Sequence, residues 1–170
     1  MASYEFFKKE FEFKGKHARM VSELWQANDY EHTYFRRLID IYMIAPIIGF
    51  RVGKNVPEDN APFDPKSIFP EQMIKAKEDL DYIMQMILIL DNKDGMSNEE
   101  CVKLAFRGAE TEKQYQKYQR LFNGYVRGGV EELYDRLIVR KSEPDDEFHD
   151  NKTANLYELL SRFTLSLIHI

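Results

Sequence analysis

Apolar residues recur at alternating intervals of three and four along the segment from 70 to 90, and this spacing constrains the fold more than any other feature. The series consists of Met73, Ala76, Leu80, Ile83, Ile87 and Leu90. Side chains at this spacing share one face of an α-helix, and Pro70 suits the first turn of such a helix. Beyond Tyr82 the segment is apolar on nearly every side. The spacing therefore predicts a helix over 70–90 at the centre of the core.

Helical periodicity also dominates the segments on both sides. Helices are predicted over 16–28 and 31–44, from the Ser97–Glu100 capping box through Phe106, from a second capping box at Thr111, after Gly128 and Gly129, and around Leu156–Phe163. A convincing run of period-two alternation, which would indicate strands, is missing. The sequence predicts an all-α fold, a single compact multi-helix domain over 1–170 with about six or seven helices around the central helix 70–90.

Two interruptions are predicted within these helical segments. Pro46 has no amide hydrogen and clashes with the preceding turn, so the second helix should kink or end near Ala45. Glycine has a low helix propensity, so Gly128 and Gly129 should break or re-aim the chain before the next helix.

Composition narrows the class of protein. A chain of 170 residues suits one domain, and its single cysteine, Cys101, excludes an internal disulfide and a multi-cysteine metal site. The charged, aromatic N-terminus lacks the apolar core of a signal peptide. The longest strongly apolar run, 83–90, is far shorter than the roughly 20 residues that a membrane helix needs. We expect a cytoplasmic protein that does not enter a membrane.

The charge is unevenly distributed. The formal net charge of −5 argues against a surface that binds polyanions everywhere. Residues 1–56 carry 9 basic and 7 acidic side chains, residues 57–112 carry 6 and 13, and residues 113–170 carry 9 and 9. The acidic middle either steers a charged partner or is an ordinary solvated surface.

No group of residues predicts a catalytic site. The four histidines show no metal-binding spacing, and the chain lacks both a nucleophile elbow and a phosphate-binding glycine loop. Cys101 lies among apolar residues, where a small buried side chain is the usual interpretation. The sequence therefore favours a protein without enzymatic activity, and we expect no catalytic residue, no bound metal and no cofactor.

The acidic segment 143–150 leaves one alternative open. Its carboxylates and His149 would suit a hard cation, and a metal-dependent hydrolase could use them. They equally suit a loop that enters a helix, because acidic side chains are favoured at a helix N-terminus. The second interpretation explains the same residues without a metal.

Two glycine-containing segments stand out, at 42–54 and 122–134. In the first, Ala45, Gly49 and Gly53 would give one helix face small enough for close backbone approach. The alternative to tight packing is an anion site, such as a contact to nucleic-acid phosphate, formed by the basic residues of this region and of the second segment. The candidate nucleic-acid-binding or anion-binding residues are Arg36, Arg37, Arg51, Lys54 and Arg127.

The run from Leu38 to Lys54 resembles a helix in small helical accessory proteins of bacterial DNA phosphorothioation (dnd-type) defence loci. The shared pattern is an apolar stretch, an alanine, a glycine before an aromatic residue, and a second glycine followed by basic residues. Pro46 and Asn55 depart from that pattern, and the likeness spans residues 38–54 only. The resemblance implies an accessory protein of a DNA-modification or anti-phage system, with Arg51 and Lys54 at the basic end of the motif.

Two hypotheses of function follow from these observations, beside the hydrolase alternative. The first is a non-enzymatic helical accessory protein that acts through contacts with a protein partner or with further copies of itself. It is favoured by the abundance of Tyr, Phe, Met and Arg, which are enriched at interfaces. The second is a nucleic-acid-binding module that uses a basic patch around Arg36, Arg37, Arg51 and Lys54.

Overall fold

The computed structural model describes residues 4–25, 33–91, 95–140 and 151–168. In these ranges the chain forms seven α-helices, one short π-helix and a two-stranded sheet. The all-α fold predicted from the sequence is confirmed. The helices are α1 (Gly15–Leu24), α2 (Leu38–Arg51), α3 (Pro70–Lys75), α4 (Lys77–Leu90), α5 (Asn98–Arg107), α6 (Glu112–Tyr134) and α7 (Asn151–Ile168), and the π-helix (Asp135–Val139) continues α6.

The central position in the fold belongs to α6. The segment 70–90 was expected to be one central helix, but it divides at Ala76 into α3 and α4. The most extensive helix–helix packing joins α2 to α6, and α6 also contacts α1, α4 and the π-helix. α6 can reach all of them because its 23 residues span about 35 Å.

Neither predicted interruption ends a helix. α2 continues from Leu38 to Arg51 with the buried Pro46 inside it, and α6 continues through Gly128 and Gly129. Local propensity predicted breaks at both places. The packing of these two helices against each other outweighs the cost of about 1 kcal/mol that a glycine adds to a helix interior.

The two glycine-containing segments meet at one helix crossing. Gly49 on α2 lies against the main-chain carbonyl of Tyr125, and Gly129 on α6 lies against the carbonyl of Ala45. A Cβ atom at either glycine would overlap those carbonyl groups. Ala45 and Gly49 of the predicted small-residue face therefore lie at a close backbone contact, and the matching surface is in the second segment. Gly53 does not belong to this contact, because α2 ends at Arg51 and a Cβ atom at Gly53 would meet open space.

Aromatic side chains fill the space beside this crossing. One stripe of α6 is aromatic and buried, and its members are Tyr115, Tyr118, Phe122 and Tyr125. Tyr42 of α2 contacts Phe7, Phe11 and Phe122, and its hydroxyl donates to Asn123 Oδ1 at 2.8 Å. Most of the aromatic side chains among the described residues are packed in or against the core.

The sheet is a small feature that the sequence pattern did not predict. Strand β1 (Phe11–Phe13) pairs antiparallel with β2 (Lys66–Ile68), and Phe11 lies opposite Ile68. Three residues per strand are too few for a pattern of alternation to be recognised. Phe13 and Ile68 are both buried, so the sheet closes one side of the core.

Both segments predicted as capping boxes begin helices, but the reciprocal bond forms at Ser97 and not at Thr111, because Gln114 Oε1 accepts from the Glu110 amide instead. Ser97 Oγ accepts from the Glu100 amide at the start of α5, and Thr111 Oγ1 accepts from the Gln114 amide at the start of α6.

The buried Arg136 joins the π-helix to α7. It donates to Glu132 at 3.0 Å and to Glu158 at 3.2 Å.

None of the helices in the described ranges combines the length and apolar character needed to cross a membrane.

We predict that Gly129→Ala destabilises the protein by about 3 kcal/mol, because the new methyl group must displace the Ala45 carbonyl. The measurement is the free energy of unfolding from denaturant titration followed by circular dichroism.

Gly124→Ala is the matched control within the same helix. The three atoms nearest to its Cβ would belong to the side chain of Asn55 and not to the main chain, so a smaller loss is expected. Equal stability of the Gly129→Ala protein and the wild type would contradict the close crossing.

Candidate functional site

The crossing of α2 and α6 brings one of the predicted site residues, Lys54, close to a carboxylate. The main chain of Lys54 lies on Gly128, and Glu131 follows one turn later on α6. Lys54 Nζ lies 2.8 Å from Glu131 Oε2, and Lys16 Nζ of α1 lies 2.8 Å from Oε1. With His17, these residues form what we call the Glu131 cluster: Lys16, His17, Lys54 and Glu131.

His17 is the buried member of the cluster, with 1% of its surface exposed. Its Nε2 atom lies 3.1 Å from Glu131 Oε1. Burial lowers the pKa of His17 below its usual value, although the carboxylate of Glu131 acts in the opposite direction. His17 is therefore neutral at pH 7, and Nε2 carries the hydrogen because an ionised carboxylate can only accept.

Glu131 is a strongly stabilised anion. Burial alone would raise the pKa of Glu131, but hydrogen bonds from Lys16, Lys54 and His17 lower it to about 2. A carboxylate with such a pKa is a poor general base near neutral pH. The Glu131 cluster thus ties α1 and the segment after α2 to α6, and Lys16 and Lys54 balance the negative charge of the Glu131 carboxylate.

Arg127 lies near the cluster and faces the connector after α2. Its Nη1 atom donates to the Val56 carbonyl at 3.4 Å, and Nη2 lies 3.6 Å from Glu58 Oε2. Burial lowers the pKa of Arg127 from its usual high value, and the guanidinium stays charged. Asp59 of the same connector accepts from the Lys16 amide at 2.6 Å. Acidic residues of the connector thus face the basic residues on this side.

The structure does not gather the five predicted basic residues into one patch. Arg36 and Arg37 precede α2, whereas Arg51 and Lys54 lie at its far end, about 20 Å away along 14 residues. Arg37 Nη2 pairs with Asp40 at 2.6 Å. Arg36 and Arg51 are exposed. Only Lys54 and Arg127 come together, and anion binding by any of the five stays a prediction.

The described residues add no metal centre or nucleophile to this site. No group of three or more His, Cys, Asp or Glu side chains in residues 4–25, 33–91, 95–140 and 151–168 is arranged to hold a metal ion. The acidic segment 143–150 lies outside those ranges. Cys101 is buried, as the sequence predicted.

A second candidate surface lies on α4, and the sequence analysis missed it. Tyr82, Met86 and Leu90 repeat every four residues and are 62%, 37% and 58% exposed. We call these three residues the α4 stripe. The sequence placed this half of the helix at the centre of the core, which is wrong for the stripe, since the core contacts use Leu80, Met84, Ile87 and Leu88. The spacing of Tyr82, Met86 and Leu90 at i, i+4 and i+8 was the sequence signal that could have revealed this stripe.

Comparison with known proteins adds no relative. No protein-family model, no curated protein and no solved structure matches this chain. The functional argument therefore depends on the two surfaces described above.

The Glu131 cluster predicts acid sensitivity. Because the folded-state pKa of Glu131 lies below its ordinary value of 4.5, its contribution to stability is complete above about pH 4.5 and is lost as the pH falls toward 2. That contribution is at most about 3 kcal/mol. We expect Glu131→Gln to lower the free energy of unfolding at pH 7 by about 2 kcal/mol and to flatten its decline between pH 5 and 2.

Denaturant titrations at a series of pH values measure both effects. Glu99→Gln is the control, because Glu99 also pairs with a lysine but is exposed on α5, and a change within about 0.5 kcal/mol is expected. A Glu131→Gln protein with the wild-type pH dependence would show that another group governs the acid sensitivity.

Proposed function

We propose that this protein is a non-enzymatic helical accessory protein that binds a protein partner through the α4 stripe. The observation that carries the proposal is the exposure of three large apolar side chains in a row on one helix. Scattered exposed apolar residues are ordinary on protein surfaces, whereas rows of them with helical spacing mark surfaces for association. Tyr and Met are also among the residue types enriched at interfaces.

The absence of catalytic chemistry at the Glu131 cluster supports the same proposal. Its carboxylate is fully engaged by Lys16, His17 and Lys54, so it offers no free base for a reaction. The cluster maintains the packing of α1, α2 and α6, which presents the rest of the surface in a fixed shape.

The biological setting of the proposal comes from the resemblance of residues 38–54 to dnd-type accessory proteins. That resemblance implies an accessory protein of a bacterial DNA-modification or anti-phage defence assembly, and we propose this setting for the chain. Within that motif, Ala45, Gly49 and Lys54 lie against the main chain of α6.

Nucleic-acid binding has less support as the function. Lys54 pairs with Glu131, Arg127 with Glu58, and Arg37 with Asp40, so three of the five predicted cations already face a carboxylate. Binding to phosphate would have to break or share these pairs. DNA binding that weakens steeply with salt and falls in the double variant Arg51→Ala/Lys54→Ala would favour this alternative over the proposal.

Substitution of the stripe tests the proposal. We expect a stoichiometric protein partner to copurify with the tagged wild type from its native cells, and to be lost with Tyr82→Gln/Met86→Gln. The complex is then formed again from the two purified proteins, and its dissociation constant is compared between variants. Glutamine keeps the helix propensity and removes the apolar contact, so stability should stay within about 0.5 kcal/mol of the wild type.

Phe106→Gln is the matched control, because Phe106 is a large side chain of α5 that is 69% exposed. This variant should keep the partner. Equal affinity of the stripe variant and the wild type for the purified partner would reject the proposed function.

A further inference from the structure

We infer that the partner's binding element is an amphipathic α-helix that lays its apolar face on the α4 stripe and places lysine or arginine side chains beside Glu78 and Asp79. This inference rests on the proposed function and adds the chemistry of the partner. It is argued from the shape of the stripe, from the charges beside it, and from the poor match of a second copy.

The shape of the stripe suits a helix. Tyr82, Met86 and Leu90 span two turns, or about 12 Å, and side chains four residues apart form a ridge along a helix surface. Such a ridge fits the groove between the side-chain rows of another helix. A partner strand would need unpaired main-chain groups at a sheet edge, whereas the main chain of α4 bonds within its own helix.

The charges on α4 are concentrated at one end of the stripe. The charged residues of this helix are Lys77, Glu78, Asp79 and Asp81, and residues 82–90 carry none. Lys77 pairs with Asp81. Glu78 and Asp79 are exposed and lie one turn before Tyr82, so a partner that covers the stripe meets two carboxylates at that end.

A groove between α2 and α4 begins at the same end. It has a volume of about 330 Å³, and its lining includes Ile39 and Met43 of α2 together with Arg37, Lys75 and Asp79. Arg37 already pairs with Asp40. The other charged side chains at this end belong to α3 and α4, where four acids (Glu71, Glu78, Asp79 and Asp81) outnumber two lysines (Lys75 and Lys77), so a basic residue of the partner complements it.

A second copy of this chain fits the surface poorly. Parallel pairing of α4 with α4 sets Glu78 and Asp79 against the same acids. Antiparallel pairing sets them beside Leu90 and Asp91, and among the described residues of α4 that end carries no cation. Parallel pairing also brings Lys75 and Lys77 of the second copy to this end, but the acids of α3 and α4 outnumber these lysines on each copy, so the two ends repel each other, and they repel nucleic acid as well.

Synthetic peptides as long as α4 test the inference against the full chain. One peptide has a leucine face bordered by lysines, the second has the same face bordered by glutamates, and the third has the composition of the first in an order that destroys the face. We expect the first to bind at least about tenfold more tightly than the others in fluorescence anisotropy at physiological salt.

Three variants locate that binding. Met86→Gln should weaken the lysine peptide at least about tenfold, Glu78→Gln/Asp79→Asn should remove the preference for lysine over glutamate, and Phe106→Gln should change neither. Circular dichroism spectra that match the wild type show that each variant is folded.

The outcomes separate this inference from the proposed function. Equal binding of the lysine and glutamate peptides, or no binding, overturns the helix inference, while stripe-dependent capture of a natural partner leaves the proposed function intact. A dimer in light scattering that Met86→Gln abolishes assigns the stripe to a second copy and also overturns it. A natural partner that ignores the stripe variant rejects both.

Discussion

The direct contact between the main chains of α2 and α6 is the constraint on which the other packing depends. Gly49 and Gly129 remove the side chains that would hold two helices apart, so each helix lies against a carbonyl group of the other. At this short separation aromatic side chains of α6 contact those of α2, as in the edge-to-face contact between Tyr125 and Phe50. The many van der Waals contacts at the crossing offset the low helix propensity of these glycines.

The same crossing determines the position of the Glu131 cluster. α2 ends at Arg51, and Gly53 adopts a positive φ of 69° that turns the chain so that the Lys54 carbonyl lies on Gly128. Glu131 is one turn further along α6, within reach of the Lys54 ammonium group. A mostly buried carboxylate requires positive or hydrogen-bonding partners, and α1 supplies the remaining ones. The position of the Glu131 cluster follows from helix packing, and its charges stabilise the contacts that join α1 and the segment after α2 to α6.

Periodicity and capping predicted most of the helices but not how they pair. The buried stripe of α6 and the helix caps at Ser97 and Thr111 follow from local rules, and the structure agrees with them. Gly128, Gly129 and Pro46 were wrongly expected to interrupt helices, because propensity describes an isolated helix and tertiary contacts override it. Lys54 and Arg127 were recognised as candidates, but their carboxylate partners were not. His17 and Glu131 are 114 residues apart, and no spacing rule connects them.

Unlike the Glu131 cluster, the α4 stripe is not needed to hold the helices together. Leu80, Met84, Ile87 and Leu88 already supply the contacts of α4 with the core, so Tyr82, Met86 and Leu90 are not needed to hold the helix in place. An apolar row by itself would associate with any apolar surface, including that of another copy. Carboxylates at one end add a penalty for like-charged surfaces and a gain for basic ones. In the proposed function, this combination would turn a general tendency to associate into a preference for a basic partner surface.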